Sequence, residues 1–250
     1  MSFATDTGGG GTSPPPAEWT TVTFPDAPEG ATGVILDIHN THSSLYLKND
    51  FRAVGSSQDD YDNGRLSPLF HRYAVVKLNA SKQAEVKIED PNYLKYYIMG
   101  YTLGDVVLFN NGIDITPATV NAWTVVDVSS HVSEDCKAVI LKFVNTYTSS
   151  LKGACRMKGS TDDFPKRVLA HQWIMLIVGV DENKQIEVYI SNTNLKVYLM
   201  GYAKGDTIHM FQNAIDKTPS TFDAWVDVDL SEDCPDAVFT FWEVVNTSTR

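Results

Sequence analysis

The chain is defined first by what it has little of. Cysteine is scarce: Cys136, Cys155 and Cys234 are the whole set in 250 residues. So sparse and odd a set is not a disulfide framework, and no C-x-x-C pair is present to bind zinc or cycle between redox states. Stability must come from packed cores. Basic residues are also few, 20 Lys and Arg against 31 Asp and Glu, for a formal net charge of −11. Phosphate backbones require clustered cations, which argues against a nucleic acid as the main partner. The acidity reads as solubility. No run approaches the roughly 18 apolar residues of a membrane helix. Residues 1–6 have neither the basic start nor the apolar stretch of a secretory signal. No window carries a long helical stripe. G-x-S-x-G, H-E-x-x-H and P-loop patterns are missing, so neither a catalytic constellation nor a cofactor is expected.

What is present is repetition. Residues 94–105 read L-K-Y-Y-I-M-G-Y-T-L-G-D and residues 195–206 read L-K-V-Y-L-M-G-Y-A-K-G-D, identical at eight of twelve positions with an offset of 101. Arg52, Gly55 and Ser56 match Arg156, Gly159 and Ser160 at an offset of 104, and Asp114-Ile-Thr-Pro matches Asp216-Lys-Thr-Pro at 102. His71 and His171 fall 100 apart. One segment occurs three times, from Trp19, Trp123 or Trp225 to Asn40-Thr41, Asn145-Thr146 or Asn246-Thr247. The order is therefore A-B-A-B-A, with A the Trp-to-Asn-Thr segment.

The A segments alternate with period two. Leu36, Leu141 and Trp242 share one position, Ile38, Phe143 and Val244 the next on that face, and Asp37, Lys142 and Glu243 stand between. A charge in all three copies predicts a half-buried strand with a solvated outer face. Cys136 aligns with Ala31 and Ala237, as a small buried residue would. Strand-like runs recur at 74–78, 84–88, 174–178 and 186–190, with a turn at 181–184 and a strand end or bulge at Gly100 and Gly201. Residues 8–16, GGGGTSPPP, combine flexible glycines with stiff prolines and read as a tether.

The fold expected is all-β: two tandem antiparallel, jelly-roll-like β-sandwiches on a flexible N-terminal arm. The arm spans 1–17, the first repeat 18–121, and the second repeat 122–250 with its trailing half-repeat. The most distinctive repeated polar set is Arg52, Gly55, Ser56 and Asp59 with Arg156, Gly159, Ser160 and Asp162. It reads either as a ligand or partner site, one per repeat, or as an ion pair pinning a tight turn; the second reading is favoured. Asp59-Asp60-Tyr61-Asp62-Asn63-Gly64 resembles a calcium loop but lacks the terminal Glu, so an acidic surface loop is expected and no metal. The repeated tryptophans read as packing residues, not sugar platforms.

The series R-x-x-G-S-x-x-D, then Y-L-M-G-Y, then W…V-x-V…V-N-T resembles repeat domains of tailed-bacteriophage virion proteins, of the head-decoration, head-fibre and tail-fibre type. The resemblance covers nearly residues 19–250 and brings no catalytic residues. It implies a virion-surface structural protein that decorates a capsid or forms a head or tail fibre and docks through its arm. Its partners would be other virion proteins and further copies of itself, as a symmetric oligomer with a trimer the first expectation. Neither nucleic acid nor membrane is expected as a partner. The alternative is a carbohydrate-binding adhesin or receptor-binding tail protein that contacts a host-surface glycan.

Overall fold

A computed structural model of the chain describes residues 17–221, 223–235, 237, 240–242 and 244. The expected arm over 1–17 lies outside these apart from Ala17. The described residues form strands and two single 3-10 turns, and none of their helices is long and apolar enough to cross a membrane. Every strand pairing is antiparallel. The protein is all-β and built from two β-sandwiches.

The first sandwich contains β1 (Thr20–Thr23), β2 (Gly33–Asn40), β3 (Leu47–Ala53), β4 (Arg65–Leu66), β5 (His71–Lys77), β6 (Gln83–Ile88) and β7 (Leu94–Thr102). Its sheets are ordered β1-β6-β3-β4 and β5-β2-β7. After β8 (Val106–Asp114), the pattern recurs as β9 (Trp123–Asp127), β10 (Cys136–Asn145), β11 (Leu151–Met157), β12 (Lys166–Val168), β13 (Trp173–Gly179), β14 (Gln185–Ile190) and β15 (Leu195–Lys204). The matching sheets are β12-β11-β14-β9 and β13-β10-β15-β8.

Period-two patterning builds both cores. On β2, Val34, Leu36 and Ile38 are buried while Ile35, Asp37 and His39 point outward, half-buried. Leu141 and Phe143 fill the same places in the second core, with Leu199 beside Leu141 in the same sheet and Ile186 and Val188 on the other. The turns repeat as well: Leu69 and His171 (φ 59° and 54°), and Lys82 and Lys184 (both 57°), adopt the left-handed region at offsets of 102. His171 is thus the counterpart of Leu69. His71 lies opposite His39 on β2, where the second repeat sets Trp173 opposite Val144, so the spacing of His71 and His171 does not mark equivalent positions.

Two expectations need correction. First, β10 is buried on both faces, Lys142 included, because its outer face packs on the first repeat. Val144 and Trp173 contribute to the first core. Second, no strand is found among the described residues after β15, where the third copy of the A segment is expected to supply one. Trp225, Trp242 and Val244 are exposed, and Glu243 and Asn246-Thr247 lie outside the described residues.

The two repeats also share a strand. A three-residue turn at 103–105 would suit a hairpin of β7 with β8. Instead, β8 leaves the first sandwich and pairs with β15: Tyr198 with Asp114, Leu199 with Ile113, Gly201 with Leu108 and Tyr202 with Val107. β8 lies within 18–121 by sequence and closes the sheet of the second repeat.

Candidate functional site

The repeated polar set assembles once per repeat on an outer sheet face. Arg52 faces Glu85 across the β3–β6 pair, Nε to Oε2 at 2.7 Å, and Arg156 faces Glu187 across β11–β14 at 2.6 Å. Directly opposed charges of opposite sign stabilise adjacent strands. Each guanidinium also donates to a loop carbonyl, that of Gln58 at 3.1 Å or Asp162 at 2.7 Å. Each lies over a tryptophan ring, Arg52 at 3.9 Å from Trp19 and Arg156 at 4.1 Å from Trp123. The indoles donate to carboxylates: Trp19 Nε1 to Asp59 at 3.1 Å and Trp123 Nε1 to Asp163 at 3.2 Å. The structural partner of Asp59 is therefore Asp163, and Asp162 takes the place of Gln58. Burial pushes Asp59 up, but hydrogen bonds from Trp19 and the Tyr61 N–H, with Lys87 nearby, hold it below the usual carboxylate value. Gly55 and Gly159 turn the chain at φ 75° and 83°, a conformation that suits glycine.

The serines do a separate job. Ser56 Oγ lies 2.7 Å from Asn111 Oδ1, and the Ser57 and Gln58 N–H groups donate to the same oxygen. Ser160 Oγ lies 2.9 Å from Asn213 Oδ1, which also accepts from the Thr161 N–H. Each repeat thus grips the segment that follows it, β8 in one case and 208–216 in the other. The sequence reading missed both asparagines. The signal was there, because the Asp114/Asp216 match at 102 extends back three residues to Asn111/Asn213.

The densest chemistry lies at the joint between repeats. Lys142 Nζ is 2.9 Å from Asp50 Oδ1 and 2.9 Å from Asp60 Oδ2, with Lys142 and Asp50 almost fully buried. Arg72 and Lys142 flank the Trp173 ring at 4.2 and 4.7 Å. Gln172 donates to Ser67 Oγ at 3.0 Å, and the Arg65 N–H donates to the His171 carbonyl at 3.0 Å. Burial lowers the proton affinity of Lys142, but two carboxylates outweigh it and raise its pKa above the ordinary 10.5. Burial dominates at Asp50 and lifts its pKa, against the pull of Lys142. Burial likewise brings Arg72 down to about 9, which leaves it a cation at neutral pH. A cavity of about 20 Å³ beside Asp50, Lys142, Leu108 and Met175 has room for a water molecule and little more.

Other candidate groups are occupied by structural contacts. Asp59, Asp60 and Asp62 do not converge: they face Lys87, Lys142 and Lys48 respectively. His39 stacks on His71 at 3.9 Å, and His71 Nδ1 lies 2.9 Å from Asp37. His42 Nδ1 accepts from the Ser44 and Leu45 N–H groups. Cys136 is buried, which pushes its thiol up to about 11 and suppresses thiolate chemistry. Neither a family model, nor a curated protein, nor a solved structure matches the chain.

Proposed function

We propose that this is a structural assembly protein without catalytic chemistry: a virion-surface component that decorates a phage capsid or forms a head or tail fibre, joined to the particle through its N-terminal arm. The observation that carries the reading is the joint. The buried ion triad, the cation-flanked Trp173 and a donated strand are all used to couple one repeat to the next. Modules that project outward from a surface by stacking need such couplings. The motif resemblance to phage repeat domains supports the particle, and the GGGGTSPPP segment suits a tether. Fractionation of infected cells tests it: the protein should sediment with particles, and deleting residues 1–17 should release it while leaving its melting temperature unchanged. A soluble protein absent from every particle fraction would refute the reading.

A second reading, a glycan-binding adhesin, draws on the exposed rings of Tyr73 and Tyr97, since aromatic faces stack on sugars. Binding to a glycan array that is lost in a Tyr73→Ala, Tyr97→Ala double variant would favour it.

A further inference from the structure

The β7 edge is the place in the fold where a repeated contact is missing. In the second repeat β15 lies between β10 and β8, whereas in the first β7 has β2 on one side and, among the described residues, no strand on the other. The sequences are near-copies, yet burial differs. Leu199 is fully buried, while its counterpart Ile98 is 46 % exposed. Tyr198 and Met175 pack against the first repeat, while Tyr97 and Tyr73, at the same places, are 51 % and 59 % exposed. A long apolar edge of this kind is a template for another strand.

The glycines make the same point. A Cβ on Gly201 would sit 2.3 Å from the Val107 carbonyl oxygen of β8, so that position must be glycine. Its counterpart Gly100 would meet nothing within 4 Å, and its φ is not in the left-handed region. Nothing among the described residues demands a glycine there; an incoming strand would.

The strand that fits is also present. Residues 208–216 are the second copy of β8, held to the second repeat through Asn213 as β8 is held to the first through Asn111. They form no strand, and Phe211 and Ile215 are 41 % and 44 % exposed. Because 208–216 rests on the second repeat as β8 rests on the first, it is presented on the side of the molecule that continues the stack.

We propose that residues 208–216 of one copy add to the β7 edge of a second copy of this chain as its missing fourth strand. The register of β8 on β15 carries over as Tyr97 with Asp216, Ile98 with Ile215, Gly100 with Met210 and Tyr101 with His209. Phe211 then meets Tyr101, as Phe109 meets Tyr202 at 6.1 Å. The facing surfaces are compatible. Asp50 and Asp60, which Lys142 satisfies in the internal joint, become Ala154 and Phe164 on the second repeat. Asp37, in the place of Lys142, is already matched by His71. One position is tighter: Ala214 replaces Gly112, where a Cβ would lie 2.7 Å from Met200 Sδ, 2.9 Å from Tyr198 Cβ and 3.0 Å from Gln58 Oε1, so the Met99 side chain must move aside and the strand must sit further from β7 at Tyr97 than β8 does from β15 at Tyr198. The contact is head-to-tail and propagates into a ring or a filament.

The test uses the full-length chain and does not depend on the virion reading, because it needs no particle. Sedimentation velocity across a hundredfold concentration range should show wild type assembling. Gly100→Val, placed in open space, should remain monomeric and keep the melting temperature that wild type has at concentrations too low for assembly. Ile215→Lys should also remain monomeric. Mixing the two variants should give 1:1 dimers and nothing larger, since each retains one half of the contact. A wild type that stays monomeric throughout, or a Gly100→Val variant that assembles like wild type, would overturn the proposal.

Discussion

At the residue scale, Lys142 decides the most. In the alternation of its strand it is an outward charge, and an outward charge is ordinarily solvated. Here the outer face of β10 meets the first repeat, and the ammonium lies between two carboxylates at 2.9 Å each. Removing one partner of a buried ion cluster leaves the other charges uncompensated, at about 3–5 kcal/mol. Lys142→Ala should therefore cost as much in urea unfolding as Leu141→Ala, for which loss of packing predicts about 2–5 kcal/mol. Replacing Lys142, Asp50 and Asp60 together by Met, Leu and Leu should recover most of that loss, because a matched apolar set avoids the desolvation of the ions. The pH dependence has a definite sign. A lysine whose pKa is raised on folding adds stability that is complete below its unfolded value of 10.5 and is lost as pH rises through the folded value. Wild type should thus lose stability above pH 10.5 more steeply than Lys142→Met, as measured by melting temperature against pH.

At the element scale, the repeated Asn-Thr has a definite task. Asn145 Nδ2 donates to the carbonyls of Ser149, Val168 and Leu169, and Thr146 Oγ1 donates to the Asn194 carbonyl. Asn40 and Thr41 repeat this with Leu45, Leu66 and Tyr93. The pair ends one strand and ties two loops to it. Asn145→Ala should cost about 1–3 kcal/mol, since it removes a buried amide's bonds to two loops, that to the buried Val168 carbonyl among them; thermal unfolding reads this directly. Such elements were legible in the sequence because they obey local rules. Period two placed Leu36, Leu141 and Phe143 inward, the turn at 181–184 closes with Lys184 N–H on the Asp181 carbonyl, and Gly201 lies at a register shift. The Arg–Gly–Ser set was legible as a unit, but its wiring was not: cross-strand Glu85 and Glu187 lie about thirty residues away, and only pairing register brings them opposite. The burial of Lys142 was hidden for a similar reason, because alternation reports two faces of a strand and cannot say that both are covered.

At the scale of the whole molecule, the repeats are not beads on a string. β8 begins in the first repeat, is clamped there through Ser56 and Asn111, and completes the sheet of the second. The buried triad and Trp173 lock the same joint. No local pattern could show this, since a three-residue turn between two strands ordinarily makes a hairpin. Proteins made of stacked repeats draw stability from interfaces as well as from the repeats themselves. Here the interface supplies a strand and part of a core, so one sandwich cannot open without exposing the other. Differential scanning calorimetry of the full-length chain tests that coupling most directly. A single transition, with calorimetric and van't Hoff enthalpies equal, is expected for wild type at a concentration too low for self-assembly, and Lys142→Ala should lower its midpoint as one peak. Two separate transitions in wild type, with the first repeat melting independently of the second, would contradict the account.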